Sequence, residues 1–390
     1  MPTSVVYSGE IRMYSLAMLL VTVMGIYAYR IYKDSKIKNW VTFTIFSLAS
    51  AYTHYYALIA AVIVNGILFG YILHKSIKNH KDNNEPWLTK DLKIFIIVAI
   101  TQIVLYLPWL VYFIAQYKTV SGGFWIETPS IETFGNIFRF HFSGTVDDEH
   151  VNIIIYCVIG IIVLLNVIWS IIQELRKDKK DRNLLPGVLA IAVYLGVIFI
   201  TWLVSLKTPI LYARYLGTVT GLFIFFLAYF MSRNKYNYIT GIVCALIVIL
   251  SIIVNIDLVK TNYAEINTKA IEIVSKNIQE ADIILFENEV ASLVYTTKLS
   301  ENSSYFYNKS NWSAVDEQYK AFGPNLNIIK SLDELSNYSG RIWVINSENY
   351  TLYNELTEKY SGKITMLQQE KMETEYHNNK YTVTLVEKGV

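Results

Sequence analysis

Long apolar segments are the feature that most restricts how this chain can fold. A helix that crosses the hydrocarbon core of a bilayer needs about 20 mostly apolar residues. Polar and charged stretches divide residues 1–258 into a series of such segments. We predict eight membrane-spanning helices, at about residues 11–29, 40–51, 55–73, 92–116, 151–172, 185–206, 211–232 and 239–258. The second segment is short, and we expect it to form a tight helical hairpin with the third.

The composition also indicates a membrane protein. Charged residues make up 17% of the chain, whereas ordinary soluble domains contain about 25%. Hydrophobic residues make up 53%, which excludes a soluble or disordered protein. A net charge of +2 gives no basic field for nucleic acid. Cys157 and Cys244 lie inside apolar segments, which predicts small packing residues rather than a disulfide or a zinc site.

Lysine and arginine are concentrated in alternate linkers. Four linkers, at residues 30–38, 75–93, 173–184 and 233–235, hold most of the basic residues between the predicted spans. Because cytoplasmic loops are enriched in Lys and Arg, we place these linkers in the cytosol. The N-terminus and the tail after residue 258 then lie outside. An external start without a signal peptide predicts that the chain is a shortened form of a longer protein with further spans upstream.

Residues 259–390 have a different pattern, with short apolar runs between polar stretches. The pattern predicts helices at 265–279 and 350–360, strands at 282–287, 341–346 and 363–367, and a hairpin at 376–387. The tail contains no Gly-rich phosphate loop, paired histidines or nucleophile elbow. We therefore predict a polytopic α-helical membrane domain at 1–258, followed by an extracytoplasmic α/β domain at 259–390 that caps or recognises rather than reacts.

The turn between the sixth and seventh predicted spans carries a candidate site. Pro209 ends one helix and allows another to begin. Arg214 follows about one turn into the membrane edge, where a guanidinium is costly unless it meets an anion. Lipid phosphate is the anion available at that depth, and Lys207 and Tyr212 offer further donors. The alternative is that Arg214 extends to bulk headgroups.

Other polar residues converge on the same predicted face. Glu10, Arg12 and Tyr14 lie at the outer start of the first span, where an interfacial charge pair that holds helices together is the alternative. His54 and Tyr55 lie at the tip of the hairpin. A single histidine can carry a proton or bind a ligand, but it can also be a hydrogen-bonded packing residue, and Tyr55 also fits an aromatic belt.

The long outer loop at 117–150 contains Trp125 and Glu127. An aromatic ring beside a carboxylate can hold a sugar, with its apolar face stacked and its hydroxyls hydrogen-bonded. A re-entrant or interfacial loop is the alternative. The acidic run at 147–149 is interpreted as a solvated loop. No pattern indicates a cofactor, and although a divalent metal could bind, no ligand spacing indicates one.

Several short motifs resemble the GT-C superfamily of membrane glycosyltransferases. The similarity is to bacterial and archaeal relatives of protein O-mannosyltransferase and of the aminoarabinose lipid A transferase. The motifs are E-x-R-x-Y at 10–14, Y-T-H-Y at 52–55, L-P-W at 107–109, G-F-W-I at 123–126 and A-R-Y-L at 213–216. Each motif alone is weak, and their order and spacing over residues 4–258 carry the resemblance.

The resemblance implies a GT-C fold that lacks its N-terminal spans here. It also implies transfer of a sugar from a polyprenyl-phosphate donor on the outer face of the cell membrane. Lys207, Tyr212 and Arg214 would lie near the donor phosphate. The outward cavity would be lined by Glu10, Arg12, Tyr14, His54, Tyr55, Trp125 and Glu127. The family's catalytic acidic residue precedes the E-x-R helix, so we expect the base upstream of Met1 and this chain alone to be inactive.

The expected partners are the lipid-linked donor, a glycan, lipid or protein acceptor, and the bilayer, in a cell-envelope or protein glycosylation reaction. Two other functions remain open. A transporter or flippase of lipid-linked sugars would show internal repeats and broken helices near the midplane, and the sequence shows no repeat. A non-catalytic membrane anchor for the tail is the third possibility.

Overall fold

A computed structural model describes residues 13–83, 86–121, 126–143, 153–262, 264–287, 296, 298–299, 302–309, 326–347, 351–374 and 380–389. The chain divides into two compact units, Met1–Ile256 and Asp257–Val390. The first unit is helical, and the second contains a six-stranded sheet.

Apolar helices make up the first unit. Their bounds are α1 Tyr14–Lys33, α2 Ile37–Thr53, α3 Tyr55–Asn83, α4 Lys90–Ser121, α5 Ile131–Ser143, α6 Ile153–Leu175, α7 Leu185–Ser205, a 3-10 helix Ala213–Thr218, α8 Thr220–Met231 and α9 Asn237–Asn262. Six of these, α1, α3, α4, α6, α7 and α9, are long and apolar enough to cross a membrane. The prediction of a membrane protein with several spanning helices is thus supported by helix length and composition.

Two of the eight predicted spans form shorter helices. Helix α2 has 17 residues, and α8 has 12. The segment predicted at 211–232 does not begin as an α-helix, because its first residues form an extended turn and the 3-10 helix. Helix length alone therefore supports six crossings rather than eight.

Helix α5 lies within the segment predicted as a long loop. It is strongly amphipathic in sequence, and it buries Phe140 and Phe142 while Ile131 stays exposed. The buried face packs on α6 at Gly160, where an added Cβ would lie 2.8 Å from the Phe142 ring. Glycine at this position therefore permits the close approach of the two helices.

The four basic linkers come together at one end of the helical unit. The Ser35 hydroxyl donates to Asp91 at 2.7 Å, which joins the first linker to the second. The buried carboxylate of Glu174 accepts a hydrogen bond from the backbone of Asn183 at 2.9 Å and lies 3.5 Å from Arg233. These contacts join the third linker to the fourth. A cavity lined by residues of the first and third linkers brings the two pairs to the same end, here called the basic end.

Tyrosine contacts join the helices at the opposite end, here called the aromatic end. The Tyr52 hydroxyl donates to the Leu105 carbonyl at 2.5 Å, which joins α2 to α4. The Tyr56 hydroxyl donates to the Ile210 carbonyl at 2.6 Å, which joins α3 to the turn after α7. The linkers that are rich in Lys and Arg thus lie together at one end of the helical unit, and these tyrosine contacts lie at the other.

The second unit is a mixed sheet between helices. Its elements are α10 Ile266–Asn277, β1 Ile283–Phe286, β2 Ser303–Tyr307, β3 Leu326–Ile329, a 3-10 turn Leu332–Leu335, β4 Gly340–Ser347, α11 Leu352–Lys359, β5 Ile364–Glu373 and β6 Lys380–Lys388. The strand order is β3-β2-β1-β4-β6-β5. The first four strands are parallel, and β6 is antiparallel to both β4 and β5.

Both faces of the central parallel strands β1 and β4 are buried, as their continuous apolar sequences predict. In β1, Ile284 and Phe286 face one core, and Ile283 and Leu285 face the other. Residues of α10, including Val274, complete the first core, whereas α11 and the 3-10 turn complete the second. The unit is therefore a three-layer α/β domain.

The structure agrees with most of the elements expected in the tail and corrects the hairpin. Strand β6 pairs with β5, so the segment expected at 363–367 is part of the hairpin partner of β6. The expected turn at 377–380 lies almost wholly outside the described residues. Strands β2 and β3 were not expected, because each has only four or five residues and contains polar side chains.

Candidate functional site

Tyr215 is at the centre of a group of aromatic rings at the aromatic end. Its ring centroid lies 5.4 Å from that of His54, 5.6 Å from that of Tyr56, 5.7 Å from that of Tyr212 and 6.3 Å from that of Tyr14. We call these five residues the Tyr215 cluster. It joins three segments that are distant in sequence: the start of α1, the junction of α2 and α3, and the 3-10 helix after α7.

The turn that carries Tyr212 is held by two hydroxyl groups. The Ser205 hydroxyl accepts hydrogen bonds from the backbone N–H groups of Ile210 at 2.9 Å and Leu211 at 2.7 Å. The Tyr56 hydroxyl donates to the Ile210 carbonyl and accepts from the Tyr212 N–H at 3.2 Å. Buried backbone groups outside a helix need such partners. Side chains of α7 and α3 therefore fix the backbone just before the 3-10 helix.

His54 forms the junction between α2 and α3. Its backbone is extended, which ends α2, and its Nδ1 accepts a hydrogen bond from the Tyr56 N–H at 3.1 Å. His54 thus caps the N-terminus of α3. Burial lowers the pKa of His54 from 6.5 to about 4, because burial disfavours the charged ring. The imidazole is therefore neutral near pH 7.

A cationic side chain, that of Arg214, lies beside this cluster. Arg214 lies in the first turn of the 3-10 helix and is partly buried, and its guanidinium carbon lies 5.5 Å from the centre of the Tyr212 ring. Lys207 is exposed in the turn after α7. The structure thus brings Tyr212 and Arg214 together. The neutral His54 and the other tyrosines belong to the same Tyr215 cluster, and Lys207 is exposed nearby in sequence.

The other predicted site residues are placed differently. Tyr14 is buried inside the Tyr215 cluster. Tyr55 belongs instead to a contact with α4, where its hydroxyl donates to the Gln116 side chain. Glu127 is exposed in the segment before α5. The remaining three, Glu10, Arg12 and Trp125, lie outside the described residues.

The sequence interpretation did not single out Tyr56, Tyr215 or Ser205. The chain contains 30 tyrosines, so neither Tyr56 nor Tyr215 was distinctive as a residue type. Tyr215 lies inside the A-R-Y-L motif next to Arg214, and Tyr56 directly follows the Y-T-H-Y motif, two residues after His54. The only indication of Tyr56 and Tyr215 in the sequence was their position near a polar residue at the end of a helix.

Two further polar groups were missed. The buried His141 of α5 is hydrogen-bonded through Nε2 to the hydroxyl of Tyr194 in α7. In the second unit, the Lys309 ammonium pairs with Glu355 and lies 4.0 Å from Glu287 at the carboxyl end of β1. Burial raises the pKa of Glu287. Neither group belongs to the Tyr215 cluster.

Metal-binding side chains are not grouped in the described part of the chain. Within it, no three His, Cys, Asp or Glu side chains lie close enough together to hold a metal ion. The chemistry of the Tyr215 cluster and Arg214 is that of hydrogen-bond donors and one guanidinium. Such a set suits an anion with several oxygen atoms.

No protein-family model, curated protein or solved structure matches this chain. The resemblance to GT-C glycosyltransferases therefore stays a prediction from short motifs.

The Tyr56 hydroxyl provides a direct test of the cluster. We expect Tyr56→Phe to lower the stability of the helical unit by about 1–3 kcal/mol, because two buried backbone groups lose their partner. Tyr52→Phe is the matched control, since its hydroxyl lies at the same end but is exposed and bonds one carbonyl. Thermal unfolding of the detergent-purified chain measures both variants. Equal losses in the two variants would contradict the assigned role of Tyr56.

His54 predicts an acid sensitivity. Between pH 6.5 and about 4 the unfolded chain binds a proton at His54 that the folded chain does not, so stability falls as the pH decreases through this window. At pH 5 the loss is on the order of 2 kcal/mol. His54→Asn retains a helix cap without this titration. We expect the decrease in thermal midpoint from pH 7 to pH 5 to be smaller in this variant, and an unchanged decrease would refute the assignment.

Proposed function

We propose that this protein is a membrane glycosyltransferase that takes a sugar from a polyprenyl-phosphate donor and transfers it to an acceptor at the outer membrane face. The observation that carries the proposal is the position of Arg214. Its partly buried guanidinium lies beside the Tyr215 cluster, at the end of the helical unit opposite the basic linkers.

The arrangement fits a lipid phosphate for electrostatic reasons. A guanidinium at the membrane edge favours an anion at the same depth, and its planar fork matches two phosphate oxygens. The surrounding tyrosine rings provide apolar walls, and their hydroxyls provide further donors. His54 is neutral near pH 7 and adds no charge of its own to the site. We therefore assign the donor phosphate to Arg214, with Tyr212 and Lys207 as additional ligands.

The proposal includes eight membrane crossings. Helix α2 begins at the basic end and reaches the aromatic end at Tyr52, although it has only 17 residues. The segment from Tyr212 to Met231 likewise runs from the aromatic end to the fourth basic linker. A helix of 17 residues is about 25 Å long, close to the thickness of the hydrocarbon core. If both segments are counted as crossings, the eight segments run alternately from one end of the unit to the other.

The basic end is assigned to the cytosol because cytoplasmic loops are rich in Lys and Arg. Helix α9 then leads from the cytosolic fourth linker to the outside, and the α/β domain follows outside. In this orientation the Tyr215 cluster and Arg214 face the outer leaflet, and the α/β domain is on the same side of the membrane as the acceptor glycan, lipid or protein.

The transfer step needs a base that the cluster does not provide. A hydroxyl oxygen of the acceptor attacks the anomeric carbon, the bond from that carbon to the phosphate oxygen breaks, and the polyprenyl phosphate leaves as an anion stabilised by Arg214. The acceptor proton passes to a general base. With a pKa of about 4, His54 is too weak a base for efficient proton transfer near pH 7. The base is thus expected to be a residue other than those of the cluster.

Cysteine labelling tests the orientation. In a chain with Cys157→Ala and Cys244→Ala, we expect an impermeant maleimide to label Lys207→Cys in intact cells. Lys235→Cys is the matched control, since it is also an exposed lysine in a turn, and its labelling should require permeabilised cells. The exposed Asn337 of the α/β domain, changed to Cys, should behave like Lys207→Cys. The opposite pattern would overturn the proposed sidedness.

Donor binding tests the role of Arg214 without requiring turnover. We expect Arg214→Gln to weaken the binding of undecaprenyl phosphate to the purified chain at least tenfold, which corresponds to about 1.4 kcal/mol. Arg214→Lys should have an intermediate effect, because lysine keeps the charge but loses the fork. Arg182→Gln, which removes an exposed charge from a basic linker, is the control. Native mass spectrometry measures the affinities.

The same measurement separates the alternatives. Unchanged binding in Arg214→Gln, with unchanged cellular glycans, would favour a membrane anchor. Binding that depends on Arg214, together with movement of a lipid-linked sugar across proteoliposomes, would favour a flippase. Sugar transfer to an acceptor that is lost in Arg214→Gln would support the glycosyltransferase.

A further inference from the structure

A groove at the basic end is a second candidate binding site. It is a cavity of about 680 Å³ between α1, α3, α7 and α8. Its walls are almost entirely apolar, with Gly25, Leu68, Val193 and Leu222 among the lining residues. None of the residues predicted for the donor site lines it.

The groove reaches the outer surface of the helical unit. Three apolar side chains in its lining, Ile26, Leu185 and Phe225, are between 38% and 47% exposed. Along α1 the lining extends from Thr22 to Tyr32, which corresponds to about 15 Å of helix. In a bilayer, an open apolar slot of this length exposes its walls to lipid chains. If the slot stayed empty, the residues that line it would lose dispersion contacts.

Cations and tyrosines surround the basic end of the groove. Arg30 lines it, is exposed, and lies with its guanidinium carbon 4.7 Å from the centre of the Tyr27 ring. The Lys33 ammonium lies 5.6 Å and 5.5 Å from the rings of Tyr29 and Tyr32, which also line the groove. The polar mouth is therefore positively charged and rich in hydroxyl groups.

In the part of the chain that the structure describes, no carboxylate pairs with these cations. Among the ion pairs of the described residues, none involves Arg30 or Lys33. The neighbouring Arg233, by contrast, is paired with the buried Glu174. Cations are favourable near the C-terminus of a helix, which partly explains why Arg30 and Lys33 occur in the last turn of α1. This effect does not explain the groove beside them.

We propose that this groove binds an anionic phospholipid of the membrane. One acyl chain lies between α1, α3, α7 and α8, and the phosphate meets Arg30 and Lys33. Basic pockets between membrane helices commonly select anionic headgroups. A zwitterionic phospholipid would add an ammonium group to a mouth that already carries two cations, so the charge favours a net negative headgroup. This site is at the opposite end from Arg214 and does not depend on the proposed donor site.

Lipid binding to the delipidated full chain tests the proposal. We expect phosphatidylglycerol to bind at least tenfold more tightly than phosphatidylcholine in native mass spectrometry, and to raise the thermal midpoint more. The double variant Arg30→Gln/Lys33→Gln should lose this preference. The matched control Lys36→Gln/Lys38→Gln removes two exposed charges from the same linker and should keep it, because Lys36 pairs with Asp34 and neither lysine lines the groove.

A second variant tests the apolar part of the groove. Gly25→Leu places a side chain in the cavity, where a Cβ atom makes only an ordinary contact with Leu222. It should reduce phosphatidylglycerol binding while both cations remain. Equal affinity for the two phospholipids in the wild-type chain would overturn the proposal, as would equal losses in the two double variants. Displacement of phosphatidylglycerol by undecaprenyl phosphate that requires Arg30 would assign the groove to an isoprenoid lipid instead.

These outcomes are distinguishable from failure of the donor site. Arg30→Gln/Lys33→Gln should leave undecaprenyl phosphate binding at Arg214 unchanged, and Arg214→Gln should leave the phosphatidylglycerol preference unchanged. If each variant lost both undecaprenyl phosphate binding and the phosphatidylglycerol preference, the two measurements would report a single site. That result would overturn the separate groove site.

Discussion

The hydrogen bonds of Tyr56 and Ser205 to the turn at 210–212 are the interactions on which the candidate site most depends. A chain that leaves its helix at the membrane edge exposes backbone groups that need partners. Ser205 satisfies two N–H groups, and Tyr56 satisfies one carbonyl and one N–H. The 3-10 helix that follows carries Arg214 and Tyr215. The backbone that leads into Arg214 is therefore held by hydroxyls of α7 and α3, and not by the turn alone.

The two ends of the helical unit differ in charge, and the proposed donor site depends on this difference. At the aromatic end, burial lowers the pKa of His54 and keeps the ring neutral near pH 7, so it adds no charge beside Tyr215. At the basic end, exposed lysines and arginines dominate the linkers. In the proposed orientation, a lipid phosphate of the outer leaflet would meet Arg214 among aromatic side chains, where a charge interaction is stronger than among many solvated cations.

The sequence predicted the elements that depend on long patterns and missed those that depend on local contacts. Apolar runs of about 20 residues and basic linkers are visible without a structure, and so are the continuous apolar strands around Ile284 and Val344. The 3-10 start of the seventh segment was not visible, because it is stabilised by Ser205 and Tyr56, which are distant in sequence or unremarkable in type. Helix α5 was missed because its buried stripe, which includes Ile137, Phe140 and His141, is short and lies within a mixed loop sequence.

The same limit applied to the site residues. Arg214, Tyr212 and His54 were chosen as candidates because polar and titratable groups next to membrane-spanning segments are possible functional residues. Tyr215 contacts all the other members of its cluster, yet nothing in its sequence distinguishes it from the 29 other tyrosines. A residue whose role is to connect helices is identified by its contacts, and those depend on the packing of all the segments at once.

Two of the arginines at the basic end, Arg30 and Arg233, differ in whether a carboxylate lies beside them. Arg233 and Arg30 both stack on tyrosines, at 4.4 Å from Tyr229 and 4.7 Å from Tyr27. Only Arg233 also meets a buried carboxylate, Glu174, which fixes it as a link between two linkers. A second such carboxylate beside Arg30 would neutralise the mouth of the groove and remove its preference for an anion. Among the described residues, the mouth of the groove thus keeps its positive charge because Glu174 lies beside Arg233 and not beside Arg30.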